Sequence, residues 1–365
     1  MSEDKPCCYL ANCSFSGETI TPITPYNKKD TWVAGEIHTS QGSVPAASTD
    51  LHFKDTLEAW KVRWGLGRMN YKINPGLYAV GKPDCASPVL VSANYKLTFN
   101  ALRKELSGLN CWMLILDTKG INVWCAAGKG TFGTDELVGR ISKTRLSEIV
   151  EHRTLVLPQL SAPGVSAHEV TRKSGFSVVY GPVSARDIKA FLDSGFRATE
   201  DMRLVKFTIW DRLVLTPVEL VQTAKISLMV FGVLFLINLF AARPFGLLDF
   251  FVYAGAVAMG TVVTPVFLPV IPGRAFAWKG WLLGLFWTAG FIWLNGWFVP
   301  EFLLLAIGYL LVLPSLSAFL AMNFTGSSTY TSFSGVIREM KIALPLIALL
   351  SATGIVLVLI KGLSG

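Results

Sequence analysis

Up to about residue 207, short apolar runs alternate with longer stretches in which apolar residues recur at helical spacing; beyond residue 225 the chain is almost continuously apolar. In the first part, runs of strand length fall at 77–80, 89–93, 112–116, 154–157 and 177–180. Helical periodicity falls at 98–106, 135–149, 165–173 and 185–192. Strands and helices that alternate across short loops predict a mostly parallel, doubly wound α/β sheet. Ligands on such sheets bind beyond the carboxyl ends of the strands. Asn94, Cys125 and the loop 159–164 each follow a predicted strand and are expected along one rim. Residues 1–50 are rich in Ser, Thr, Pro and Gly and show neither period, so they read as an extended arm.

The apolar part divides into runs at 226–242, 247–271, 280–299, 302–322 and 342–360. Each has about the 20 residues that cross a bilayer. The expected organisation is therefore an arm over 1–50, an α/β domain over 51–223, and an all-α membrane domain of five transmembrane helices over 224–365. Composition agrees: 52% of the 365 residues are hydrophobic and mean hydropathy is +0.46. Asp249 is the one charge inside these runs, so the intramembrane acid/base chain of a pump is missing. Gly280 and Gly284 have the spacing of a helix-packing pair, and Asn238 and Asn295 are candidates for hydrogen bonds between helices.

Charge changes the picture in two ways. The net charge of +8 comes without a basic stripe interleaved with aromatics, which argues against nucleic acid and for an anionic membrane leaflet or an acidic protein partner. No secretory pattern opens the chain, so the α/β domain is expected in the cytoplasm and the protein in the cytoplasmic (inner) membrane as a multi-pass protein. Arg274, Lys279, Arg338 and Lys341 then fall inside, Arg243 and Lys361 outside, with Gly365 on the far side. In that compartment the six cysteines are free or metal-bound rather than disulfide-linked.

The candidate chemistry centres on GINVWCAAGKGTFGT, residues 120–134. Asp117 to Gly120 turn the chain after a strand, Asn122 suits an N-cap, and a short helix is predicted over 123–129. Cys125 falls in its first turn, where free N–H groups and the helix dipole favour negative charge, and Lys129 adds a positive charge one turn on. A thiolate is a strong ligand for a soft or borderline metal. Ala126, Ala127, Gly128 and Gly130 are small enough to let something broad and flat approach. The same cysteine also reads as an ordinary core residue. The phosphate-loop pattern G-x-x-x-x-G-K-[ST] is not met. His152 and His168 read as structural, and Cys85 and Cys111 as ordinary residues.

NVWCAAGK, residues 122–129, resembles the cap-helix signature of the HgcA family, the membrane-bound corrinoid proteins of microbial mercury methylation. The resemblance extends through SPVLVSANYKLTFNALRKEL (87–106), LPQLSAPGVSAHEV (157–170), YGPVSARDIKAFL (180–192) and MNFTGSSTYTS (322–332), covering about residues 55–365. It implies a Rossmann-like corrinoid-binding domain, similar to the large subunit of the corrinoid iron–sulfur protein, and a methyl transfer from methyl-Co(III) to inorganic Hg(II). It implies base-off cobalamin, with Cys125 as the lower axial ligand of cobalt. Asn122, Val123, Trp124, Ala126, Ala127, Gly128, Lys129, Gly130 and Thr131 would shape the helix beneath the ring. The D-x-H-x-x-G signature of His-ligated corrinoid proteins is absent, its nearest approach being Glu36-Ile37-His38.

The chain departs from that large subunit in having only Cys7, Cys8 and Cys13 near its start, too few and wrongly spaced for the four-cysteine cluster motif. No iron–sulfur cluster is expected in this chain. The family then implies, as partner, a small ferredoxin with two 4Fe–4S clusters, an electron donor and possible Hg(II) donor, together with a methyl donor protein or methylated folate. Two alternatives stay open: a membrane-anchored corrinoid methyl carrier of one-carbon metabolism, or a non-catalytic corrinoid-binding or transport module.

Overall fold

The computed structural model describes residues 22–239, 245–327, 330–331 and 333–364. Cys7, Cys8, Cys13, Arg243 and Gly365, on which some expectations rest, lie outside the described residues. The chain forms two compact units that change over between Val205 and Lys206, with Arg63–Gly65 grouped with the second. The changeover falls before the expected boundary at 223/224. The reason is that Phe207 and Leu215 pack on Leu268, Phe276 and Phe324 of the helical unit.

The first unit is built on a seven-stranded sheet of order β1-β2-β3-β5-β4-β6-β7. Its strands are β1 (Val33–Thr39), β2 (Gly42–Ala47), β3 (Gly76–Val80), β4 (Val89–Ala93), β5 (Cys111–Leu116), β6 (Thr154–Leu157) and β7 (Ser177–Tyr180). Its helices are α1 (Phe53–Arg63), α2 (Lys96–Glu105), α3 (Val123–Gly128), α4 (Thr134–Lys143), α5 (Ala167–Ser174), α6 (Ile188–Asp193) and α7 (Glu200–Arg203). Strands β5, β4, β6 and β7 are mutually parallel, as the alternation predicts. Strand β3 runs antiparallel to β5, because no crossover helix lies between Val80 and Val89 to bring the chain back in the same direction.

Every residue of β3, β4 and β5 is buried. Alternate side chains serve opposite faces. Leu77, Val91, Leu114 and Leu157 meet Leu137 and Ile141 of α4 and Val170 of α5 on one face. Tyr78, Leu90, Met113 and Val156 meet Phe99 and Leu102 of α2 and Phe191 of α6 on the other. Each fully buried side chain of this size contributes about 1.5–3 kcal/mol of transfer free energy.

The stretch expected as a loose arm supplies the β1–β2 hairpin from Val33 to Ala47, joined to β3 through Ala46 and Ala79. Trp32 fixes it to the sheet. It is 2% exposed and stands edge-on to Tyr78 and Phe99, each ring centre 5.4 Å away. The first buried side chains are thus scattered among Ser, Thr, Pro and Gly, which hides the strand period.

The second unit is helical: α8 (Ile209–Leu213), α9 (Thr216–Asn238), α10 (Leu247–Ala258), α11 (Thr264–Val266), α12 (Phe276–Leu294), α13 (Leu303–Asn323) and α14 (Phe333–Ser364). A π-turn at Met259–Val263 joins α10 to α11. Among the described residues, four stretches are long and apolar enough to cross a membrane: Ile209–Asn238, Leu247–Val266, Leu303–Asn323 and Ser334–Leu363. The third of the five expected spans is the 19-residue helix α12, which does not reach that level of hydropathy. It contains Lys279 and the weakly hydropathic Trp278, Trp281, Trp287 and Trp293. Gly280 and Gly284 are explained by packing: a Cβ on Gly280 would stand 2.5 Å from Ala321 Cβ, and one on Gly284 2.6 Å from Ser317 Oγ, both on α13. Asn238 hydrogen-bonds both ways with the Phe245 backbone, at 2.7 and 3.0 Å. Asn295 instead donates to the Phe291 carbonyl of its own helix, at 2.9 Å, so it links no helices through that bond.

Candidate functional site

The parallel strands change direction of progression at β4: β5 lies on one side of it and β6 on the other. In sheets of this kind the carboxyl ends of the strands beside such a reversal are the usual ligand position. The loops there are held by one side chain. Asn94, 1% exposed at the end of β4, accepts hydrogen bonds through Oδ1 from the amides of Thr118 (3.1 Å) and Gly120 (3.0 Å). Its amide group donates to Asp117 Oδ1 at 3.2 Å. The Thr118 hydroxyl stands 2.9 Å from the same Oδ1 and 2.7 Å from the Ile121 carbonyl, and donates to one at a time. Lys119 and Gly120 complete the turn with φ of 59° and 74°, a left-handed pair that carries the chain from β5 into α3.

Asn122 caps α3 as its sequence predicts: its Oδ1 accepts the Cys125 amide at 2.9 Å. That amide is therefore committed to the cap. The helix ends in a Schellman motif. Gly130, with φ of 78°, donates to the Ala127 carbonyl at 3.2 Å, and the Thr131 amide donates to the Ala126 carbonyl at 3.0 Å. Gly130 is thus a helix stop, a role that its place in GKGT does not reveal.

The ten residues expected at the site separate into three sets by burial. Val123, Ala126 and Ala127 are buried and belong to the core beneath the helix. Asn122, Trp124, Cys125 and Thr131 are half-buried, while Gly128, Lys129 and Gly130 are exposed. The helix packs on the turn Gln159–Ser161 after β6, and the following loop comes so close that a Cβ on Gly164 would lie 2.9 Å from Ala127 Cα. Neither the Asn94 hub nor the Gly164 approach is visible in the sequence, because their partners are remote along the chain.

Electrostatics around the turn are local. Burial alone would raise the Asp117 carboxyl. Hydrogen bonds from the Lys119 ammonium (2.8 Å) and amide (3.1 Å), the Lys119 charge and the Asn94 amide together outweigh it and hold the carboxyl below its ordinary range. Burial pushes the Cys111 thiol up to about 12, as suits an inert core cysteine, and Cys85 is likewise buried. His152 accepts the Thr154 amide at Nδ1 (3.2 Å) and donates from Nε2 to the Ser87 carbonyl (2.9 Å), a structural role. Among the described residues, no group of three or more His, Cys, Asp or Glu is placed to hold a metal ion.

The residues present fit a flat, cobalt-bearing ring. Cys125 offers one soft donor on a half-buried face. A Cβ on Gly128 or Gly130 would meet nothing within 4 Å, so the surface beside the thiol is open.

Residues 67–192 match the family described as CO dehydrogenase/acetyl-CoA synthase delta subunit. The chain is similar to the gamma subunit of the acetyl-CoA decarbonylase/synthase complex from Methanopyrus kandleri, 31% identical over 155 residues, which is 40% of this chain and 33% of the relative. The corresponding subunit from Archaeoglobus fulgidus is 31% identical over 135 residues, 36% of this chain and 28% of the relative. Gamma subunit 1 of Methanosarcina thermophila is 29% identical over 155 residues, 41% and 31% of the two chains. The chain thus spans about a third of the length of the curated relatives it matches. The family match takes in β3 to β7, the Asn94 hub and α3, so the similarity to this family falls on the part of the molecule that holds the Cys125 site.

Proposed function

We propose that this chain is a membrane-anchored corrinoid protein that transfers a methyl group to inorganic Hg(II). The observation that carries the reading is the half-buried Cys125 thiol. It sits on a short, capped helix beyond the carboxyl end of a parallel sheet, within the segment similar to acetyl-CoA decarbonylase/synthase subunits. When bound, the corrinoid supplies a transferable methyl group, whose departure with its electron pair a thiolate donor assists. Cys125 would hold the cobalt through its thiolate. Asn122 holds Cys125 by its amide, and Trp124 and Thr131 flank it. Gly128, Lys129 and Gly130 leave room for the ring edge, while Val123, Ala126 and Ala127 seat the helix on the core. Hg(II) is the substrate, delivered as a thiolate complex.

Electrons come from a small ferredoxin with two 4Fe–4S clusters, which also serves as an Hg(II) donor, and methyl groups from a methyl donor protein or a methylated folate. The test is anaerobic incubation of the full chain in vesicles with reduced ferredoxin, methyl donor and Hg(II), with methylmercury measured. A second reading, a methyl carrier of one-carbon metabolism, is favoured by the relatives' names as acetyl-CoA decarbonylase/synthase subunits. Methyl transfer to other acceptors but not to Hg(II) would select it. Corrinoid bound without any methyl transfer would reduce the chain to a binding or transport module.

Size at the helix surface gives a second expected result. Gly128→Leu replaces an exposed glycine by a better helix former, so thermal stability should hold or rise by up to about 1 kcal/mol. Corrinoid content should nevertheless fall, because the new side chain occupies the ring's approach. Unchanged cobalt content in the purified variant would show that the position lies away from the cofactor. Ala126→Leu is no test of the same idea: Ala126 is 0% exposed in the core, and overpacking there costs about 1–3 kcal/mol.

Five crossings of the cytoplasmic membrane, with the α/β unit inside, remain the proposed topology. Helix α12 is about 28 Å long at 1.5 Å per residue and packs closely along α13, which is apolar enough to span. A phosphatase fused after Gly365 should be active outside the cell. A cytoplasm-only fluorescent reporter that lights up there would remove one crossing.

A further inference from the structure

Helix α1 has its polar anchor inside and its apolar stripe outside. Its buried side chains are Asp55 and Val62. On the opposite face, Phe53, Leu57 and Trp60 fall within about 60° of arc at 100° per residue. Phe53 is 82% exposed, Leu57 44% and Trp60 64%. Core packing does not account for this stripe, since none of the three helical residues joins a hydrophobic cluster.

Basic residues border it on both sides. Lys54 and Lys61 lie along one edge, Arg63 along the other, and Arg68 follows in the next turn, all exposed. The acid nearest the stripe, Glu58, is turned aside into a 2.7 Å ion pair with Lys96. An aromatic and aliphatic ridge between rows of Lys and Arg is the pattern of a helix that lies in a bilayer interface. The ridge enters the headgroup boundary and the long basic side chains reach anionic headgroups. Among its described residues the same chain carries four helices long and apolar enough to cross a membrane, and a chain inserted through them would hold α1 close to a bilayer.

We propose that α1 is an in-plane membrane anchor of the α/β unit, docked through Phe53, Leu57 and Trp60 on the anionic surface of the bilayer that the helical unit enters. The α/β unit is then tethered to the membrane at a second place besides its covalent connection.

The test uses the full chain with Leu57→p-benzoylphenylalanine, reconstituted in vesicles of phosphatidylcholine and phosphatidylglycerol and irradiated. Lipid adducts at position 57 are expected. Lys54→Glu with Lys61→Glu should lower their yield roughly fivefold or more, as should high salt. Both lysines are exposed, so an unchanged thermal midpoint shows that the variant is folded. Adducts to another protein, to a second copy or to this chain's own peptides in place of lipid would overturn the proposal. So would lipid adducts whose yield ignores both charge reversal and salt.

Discussion

Cys125→Ala should abolish methyl transfer to Hg(II) and leave the fold standing. The thiol is the only soft donor on α3; loss of a group that merely supports a metal ligand costs about 10–100-fold in affinity or activity, and loss of the ligand itself should cost at least that. The fold should not notice. Cys125 is half-buried, its backbone amide is held by Asn122 rather than by its own sulfur, and Ala is the better helix former by about half a kcal/mol. The thermal midpoint should therefore stay level or rise slightly while methylmercury production falls to background. The absorption spectrum of the bound corrinoid should change in parallel, because the thiolate that would hold the cobalt would set its electronic environment. A well-folded variant with near-normal turnover and an unaltered spectrum would end the ligand assignment. Cys111→Ala is the useful contrast: that thiol is wholly buried in β5, so its loss should lower stability through a small cavity without touching the chemistry.

Much of this site is legible in the sequence because its signals are local. Strands β4, β6 and β7 are dense apolar runs bounded by turn residues, and the observed limits Val89–Ala93, Thr154–Leu157 and Ser177–Tyr180 coincide with the predicted ones. The Asn122 cap is readable because a cap and its acceptor lie three residues apart. The features that escaped are those made by distant residues. The hub at Asn94 exists only because β4 and β5 are paired in register, which brings Thr118 and Gly120 beside it. The β1–β2 hairpin escaped because its burial is carried by single residues such as Trp32 and Val44 among polar neighbours. Helix α12 was placed by its apolar run, yet its start at Phe276 brings Lys279 inside the helix, where Nζ donates to the Leu268 carbonyl. No local pattern announces that a lysine finds its partner on the preceding loop.

The largest stability effect should come from Arg103, far from the thiol. Its side chain is fully buried and donates to Asp55 Oδ2 at 2.8 Å, to the Ser48 and Asp50 carbonyls at 2.6 Å each, and to Asn100 Oδ1 at 2.9 Å. Asp55 in turn accepts the Thr31 hydroxyl at 2.9 Å and the His52 amide at 3.1 Å. One ion pair thus joins α2, α1 and the segment leaving β2. Arg103→Met leaves the buried Asp55 carboxylate with only Lys96 Nζ, 4.0 Å away and already paired with Glu58 at 2.7 Å, and breaking a buried pair from one side costs about 3–5 kcal/mol. Replacing both partners, with Asp55→Leu, should recover much of that, since no buried charge is then left. Acid should act in the same direction as the single variant. Burial alone would raise the Asp55 carboxyl, but the Thr31 and His52 hydrogen bonds and the Arg103 charge outweigh it and hold it below its ordinary range. A group depressed in the folded state contributes stability that is present above the unfolded value of about 3.9 and is lost as pH falls through the lower folded value. Hydrogen exchange on α1 amides in the full chain is the sensitive readout, because α1 has little apolar burial besides Val62 to hold it down. Protection across Phe53–Arg63 should fall in Arg103→Met at neutral pH and in the parent below about pH 4. Protection in the single variant equal to the parent's would mean that the pair contributes nothing net and that α1 is held by its outer face alone.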